Sequence, residues 1–178
     1  MPRRLFAASR WIATLVAAGC LVSIGNAATP TAAGRPVPCD LTLRYGPQSE
    51  ARSGQFHLNL IFANNPGDTP CRVFGFPDVE LIGPAYPTFG SIYVLPDQAG
   101  TSQSVMLRPG QSAHSLLTWL RGPSSGHRWT PGYIRVVVPT NRGGSFAVAL
   151  PWRYGSVLRQ DGASHPGTYI GPVRPGAR

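Results

Sequence analysis

The string Gly122-Pro123-Ser124-Ser125-Gly126 spells Gly-x-Ser-x-Gly, the signature of a nucleophile elbow. With Asp161 and His165 downstream it has the serine, acid, histidine order of an ester or cell-wall hydrolase acting through Ser124 or Ser125. An elbow works when a strand enters it and a helix leaves it, because that turn lifts the hydroxyl clear of the sheet. Here His127-Arg128-Trp129-Thr130-Pro131-Gly132 follows, a poor helix start, and Asp161 and His165 stand in a Gly/Pro-rich stretch. A flexible loop is therefore the preferred reading. No catalytic residue is assigned, and the chain is expected not to be an enzyme.

Other groups invite metal or ligand chemistry. His57, His114, His127 and His165 stand singly. His57 and His114 fall on strands where they could meet across a sheet, with Asp68, Asp78, Glu80 and Asp97 as loop carboxylates. No set has the ligand spacing of a zinc or copper site, and Met106 with His114 is too little for copper. A metal carrier is thus a third reading, and no metal or cofactor is expected. All 16 basic residues are Arg, which excludes a Schiff-base or P-loop lysine. Arg128, Trp129, Tyr133, Trp152, Arg153 and Tyr154 are the candidate ligand-binding residues. Their rings would stack on sugars while Arg bonds hydroxyls or anions. The competing reading packs these rings in the core and at sheet edges, as Trp119 is expected to pack.

The N-terminus reads as an export signal. Residues 1–10 carry Arg3, Arg4 and Arg10 and no acid, and Trp11–Ile24 is almost wholly apolar or small. This is the charged and apolar layout of a secretory leader, shorter than the ~20 residues of a spanning helix. Cleavage is expected after Ala27 or Ala28, making residues 1–27 the signal peptide. Val16-Ala17-Ala18-Gly19-Cys20 forms a loose lipobox, so a lipid anchor on Cys20 is the alternative. Against it, Ala17 stands where Leu is usual, and Leu21, Val22 and Ile24 stay apolar.

Loss of the first 27 residues leaves 13 basic against 7 acidic residues, a net charge of +6. A basic exported chain is drawn to anionic wall polymers or lipid headgroups. Nucleic acid is disfavoured, since the Arg residues are scattered and no reader motif is present. Beyond Cys20 the chain has Cys39 and Cys71. Outside the cytosol two such thiols most simply pair. The closed loop would contribute about 3–4 kcal/mol on the chain-entropy estimate.

The elements that must carry these groups are strands. Residues 28–38 form a low-complexity linker. After it, two-residue alternation recurs at Leu41–Tyr45, Phe56–Ala63, Val73–Phe76, Val79–Ile82, Ile92–Leu95, Val105–Leu107 and Ala113–Leu120. Tyr133–Val138, Asn141-Arg142-Gly143-Gly144 and Ser145–Trp152 read as a hairpin. Shorter strands are expected at Val157–Arg159 and Tyr169–Val173. Arg108-Pro109-Gly110-Gln111 is a strong turn; the Asn64-Asn65-Pro66-Gly67-Asp68 run is expected to end a strand, and Gly75-Phe76-Pro77-Asp78 to turn the chain sharply after Cys71. Long connections are expected at 46–54, 83–91, 96–103 and 121–131. No stretch of ten or more residues free of Gly and Pro has helical apolar spacing. The expectation is an all-β, antiparallel, immunoglobulin-like sandwich of about eight strands over residues 39–173, with a flexible tail at 174–178.

Specific residues carry a resemblance. Leu58-Asn59-Leu60-Ile61-Phe62-Ala63-Asn64-Asn65, then Cys71-Arg72-Val73-Phe74-Gly75-Phe76-Pro77-Asp78-Val79-Glu80-Leu81, is similar to the domain-of-unknown-function 4232 family. Val105-Met106-Leu107-Arg108-Pro109-Gly110-Gln111-Ser112-Ala113, Trp119 and Leu150-Pro151-Trp152 resemble its later elements. The resemblance spans roughly residues 38–175. It implies a secreted or lipid-anchored bacterial sandwich domain with a Cys39–Cys71 bridge, and it carries no activity. The functional expectation is an exported, non-enzymatic module of the cell envelope. End loops and an aromatic/Arg surface would bind an envelope glycan, an anionic wall polymer or another envelope protein.

Overall fold

The computed structural model describes residues 39–51, 53–123, 128–141 and 144–177. The leader, Cys20, the 28–38 linker, Ser124, Ser125 and His127 lie outside the described residues. Among the described residues there are strands and turns and no helix, so none is long and apolar enough to cross a membrane.

Two antiparallel sheets form a sandwich. The first orders β1 (Leu41–Glu50), β2 (Gln55–Asn64), β7 (Ser112–Leu120) and β10 (Tyr169–Ile170), with β11 (Arg174–Pro175) also on β7. The second orders β5 (Gly90–Val94), β4 (Asp78–Tyr86), β8 (Tyr133–Thr140), β3 (Cys71–Phe74) and β6 (Ser104–Leu107). Its sixth strand, β9 (Gly144–Pro151), also pairs with β8. The expected alternation sets the facing sides. Leu58, Leu60 and Phe62 of β2 and Leu117 and Trp119 of β7 are fully buried. So are Val79 and Leu81 of β4 and Ile134, Val136 and Val138 of β8. Each such side chain contributes about 1.5–3 kcal/mol through burial.

The expected bridge is present: Cys39 and Cys71 are joined, with Cα atoms 5.7 Å apart. The expected hairpin is present over 133–140 and 144–151, and its register sets Val136 opposite Val148. At Arg108–Gln111, the Gln111 amide donates to the Arg108 carbonyl at 2.9 Å, and Gly110 has φ 80°. That is a type II turn, whose third position needs a positive φ and so a glycine. The turn does not fold a hairpin back on one sheet; it carries the chain from β6 in the second sheet to β7 in the first. Asn64, expected to end its strand as part of a loop run, is the last residue of β2. Its buried side-chain amide donates to the Thr69 and Leu107 carbonyls at 3.1 and 3.0 Å.

Four expectations are corrected. Most of 46–54 is not a loop, because β1 runs on to Glu50 past a register shift between Tyr45 and Gln48. Most of 83–91 is likewise strand, since β4 reaches Tyr86 past a shift after Ile82. Gly-rich and polar residues hid these extensions from an alternation test. Second, Gly75-Phe76-Pro77 does not reverse the chain. Val136 pairs with Val148 and Val79, and Thr140 with Gly144 and Val73. Strands β3 and β4 therefore follow one another in the same direction along one side of β8. Pro77, lacking an N–H, breaks that line rather than turning it. Third, the end of the chain is not free through Gly176. Arg174 and Pro175 pair with His114 and Ala113, and the Gly176 amide donates to Ser112 at 2.8 Å. Fourth, eleven strands stand among the described residues instead of about eight; Arg174–Pro175 is too short to show alternation, and the strand expected at Val157–Arg159 is only a pair of isolated bridges at Val157.

Candidate functional site

The outer face of the six-stranded sheet gathers the exposed apolar residues. Cross-strand register places Ile92, Ile82, Tyr133 and Pro151 in one row across β5, β4, β8 and β9. The next row is Val94, Glu80, Arg135 and Ala149. Val94, Tyr133 and Ile92 are 62%, 57% and 47% exposed. Between them Arg135 grips Glu80 through two hydrogen bonds, Nε to Oε2 at 2.8 Å and Nη2 to Oε1 at 2.6 Å. Asp78, Glu80, Val94, Arg135 and Val137 line a depression of about 190 Å³ here. That is below the roughly 300–1,000 Å³ of a small-molecule pocket. At the edge of the face burial and the nearby Asp78 raise the Asp97 carboxyl above its ordinary value.

Of the six candidate ligand residues, this face brings Tyr133 to the surface, and Arg128 and Arg153 are exposed. The tryptophans are not surface platforms. Trp129 and Trp152 are 2% and 7% exposed. Trp152 stands edge-on to Trp119 at 5.3 Å and to Tyr154 at 5.1 Å, and its indole N–H donates to the Gly155 carbonyl at 2.8 Å. Tyr154 is half-buried against Tyr45, whose hydroxyl donates to the Pro151 carbonyl at 3.0 Å. Burial raises the pKa of both phenols, more strongly for Tyr45, where Tyr154 adds to it.

Trp129 belongs to an arrangement that the sequence did not suggest. Arg159, with its side chain 2% exposed, lies over the Trp129 ring at 4.7 Å. Tyr93, Phe89 and Tyr86 stand around it at 5.4, 5.5 and 5.7 Å. Its guanidinium forks onto Asp161 at 2.6 and 2.9 Å. It also donates to the carbonyls of Gly90 (2.7 Å), Ile92 (2.7 Å) and Phe89 (3.0 Å). A buried cation persists when paired and fully hydrogen-bonded, as here. Gly83 makes room for it: a Cβ there would meet the Trp129 ring at 3.0 Å. The Trp129 indole in turn donates to the Pro84 carbonyl at 2.9 Å. The local signal was slight, an Arg and an Asp two residues apart; the acceptors lie 67–70 residues away.

The candidate catalytic and metal groups are dispersed. Asp161 is engaged by Arg159, and His165 contacts the adjacent Ser164 at 3.2 Å. His57 and His114 do not meet: His57 faces Thr118 while His114 faces Ile61, four positions along the ladder. Their Nδ1 atoms lie 3.0 Å from the Thr118 hydroxyl and 2.8 Å from the Gly176 carbonyl. Among the described residues no three His, Cys, Asp or Glu side chains stand together.

Comparison with curated proteins and with solved structures gave no match. A family model matches residues 38–170, spanning the whole run from the bridged Cys39 to β10. Those residues include the Asn64 clamp, the β3–β4 break and the Pro109-Gly110 turn on which the resemblance rested. The chain therefore belongs to the family described as a domain of unknown function, DUF4232.

Proposed function

We propose that the protein is exported and acts in the cell envelope as a non-enzymatic binding module, with an anionic envelope polymer as its partner. The observation that carries this reading is the outer face of the six-stranded sheet. Val94 and Ile92 on β5 and Tyr133 on β8 are exposed there, on either side of β4 and around the Arg135–Glu80 pair. An aromatic ring can lie on a sugar ring, and exposed Arg153, two residues beyond the Pro151 that faces Tyr133, supplies a cation just past the end of β9. The chain's charge of +9, or +6 without its leader, favours approach to anionic polymers. The rigid sheet fixes these groups in advance, which lowers the entropy lost on binding.

The test is retention of the protein on isolated wall polymer. The expected result is binding at low salt that falls as salt rises, weakened several-fold by Tyr133→Ala with Arg153→Glu. No retention, or retention unchanged in the double variant, would sink the reading. Capture by an envelope protein with the polymer ignored would replace it with a protein partner. The mass of the native N-terminus tests export: a chain beginning near Ala28 supports secretion, lipid on Cys20 supports anchoring, and an intact leader refutes both.

A further inference from the structure

The sandwich has several strands with one open side, and they are treated differently. An open side is a row of N–H and C=O groups ready to pair with another strand, and proteins block it with short strands, charges, bulges, proline or a cover. Strand β6 has four residues, and β10 and β11 have two each. Strand β1 is interrupted by its register shift and carries Arg44 and Glu50. On β5, Arg159 occupies the carbonyls of Gly90 and Ile92. Strand β9, Gly144-Ser145-Phe146-Ala147-Val148-Ala149-Leu150-Pro151, has eight residues, no charge, and proline at its last position alone. Among the described strands β9 pairs with β8 and with no other.

Which groups of β9 are open follows from alternation. The Trp152 amide donates to the Gly132 carbonyl at 2.9 Å, continuing the β8–β9 ladder. In an antiparallel pair every second residue bonds to the partner. Residues 150, 148 and 146 therefore bond to β8, and Ser145, Ala147 and Ala149 turn their N–H and C=O groups away. The Pro151 carbonyl faces the same way, which is why the Tyr45 hydroxyl can reach it.

We propose that this open side pairs antiparallel with the same strand of a second copy of the chain, centred on Val148. The segment Phe146-Ala147-Val148-Ala149-Leu150 reads nearly the same in both directions. A two-fold axis at Val148 sets Ala147 opposite Ala149 of the partner subunit, so both open residues exchange both hydrogen bonds. On the core-facing side Phe146 meets the partner's Leu150, and Val148 meets its own equivalent. These three residues are incompletely buried in one copy, and the pairing covers apolar surface with apolar surface. On the outer side small residues meet, and no like charges oppose one another. An unrelated extended peptide would satisfy the backbone but would have no reason to match this near-palindrome. The pairing is isologous and closes at two copies. It does not depend on the polymer-binding reading.

Sedimentation of the leader-free protein from about 1 to 500 µM should show a concentration-dependent dimer. Ala147→Glu with Ala149→Glu should weaken it roughly tenfold or more by placing like charges directly opposite. Both side chains are exposed, so the fold should persist. Ala147→Arg with Ala149→Glu should restore dimerisation, because position 147 faces position 149 of the other copy. Val148→Cys should cross-link spontaneously to a covalent dimer, since paired residues without mutual hydrogen bonds have Cα atoms about 4.5 Å apart. A wild-type monomer throughout the range overturns the proposal. So does a dimer that is indifferent to the charge variants and that Val148→Cys does not cross-link.

Discussion

Strands β5 and β9 are outer strands of the same sheet, yet one is sealed and the other open. At β5 a buried guanidinium fills the carbonyls of Phe89, Gly90 and Ile92, held by Asp161 and four aromatic rings. At β9 the neighbouring support is the Tyr45 hydroxyl on Pro151, at the end of the strand. The difference teaches that edge status is a property of what packs beside a strand, not of its alternation. Strand β5 exposes Ile92 and Val94 and, by side chains alone, is the more hydrophobic edge. Arg159 makes it the better protected one. The cover comes from far along the chain, so it costs no charged residue within β5 itself.

The comparison can be broken most forcefully at Arg159. Arg159→Ala leaves Asp161 and three carbonyls without their donor, and should cost about 3–5 kcal/mol. A urea midpoint measures that loss, and sedimentation should show new association through β5. Arg159→Lys keeps the charge without the fork and should recover only part of the stability. Gly83→Ala strikes the same region indirectly, by pressing a methyl on the Trp129 ring. It should cost about 1–3 kcal/mol as overpacking, with a shift in tryptophan fluorescence.

Tyr45→Phe sharpens the other side. It removes the hydrogen bond to Pro151, and should cost about 0.5–1.5 kcal/mol near neutral pH. Tyr45, Tyr154 and Tyr93 are all raised, by burial first, from an ordinary value of 10.0. The folded state therefore holds their protons more tightly than the unfolded chain does. The stability this supplies is complete below about pH 10 and is lost as the pH climbs through the folded values. Urea midpoints between about pH 8 and pH 11 should fall at the alkaline end, less steeply for Tyr45→Phe. A flat profile in the wild type would contradict the burial of these phenols. The smallest effect is expected at β9: Ala147→Glu with Ala149→Glu should change monomer stability by about 0.5 kcal/mol or less, as exposed substitutions do.

Much of this molecule was legible from its residues. Alternation located β2, β7 and β8 because a half-buried sheet imposes period two on side chains wherever it lies. Pro109-Gly110 declared its turn because those residues restrict or permit φ locally. The two cysteines declared their pairing through chemistry that needs no map. The candidate site was legible only in part. Tyr133 lies on the surface as the binding reading required, while Trp129 and Trp152 proved to be core. An aromatic residue carries no local mark of which side of a sheet it will face at an irregular loop.

What the amino acids alone determined is the strand content, the turn at 108–111 and the sulfur bridge, since each follows from short-range geometry or covalent reactivity. The tertiary structure decided that β3 and β4 share one line, that Arg159 seals β5 and that β9 has a single described neighbour. Those facts depend on which segments, tens of residues apart, come to lie side by side. Strand Phe56–Ala63 and strand Ser145–Pro151 alternate alike, and it is the number of neighbours beside each that separates an interior strand from an open one.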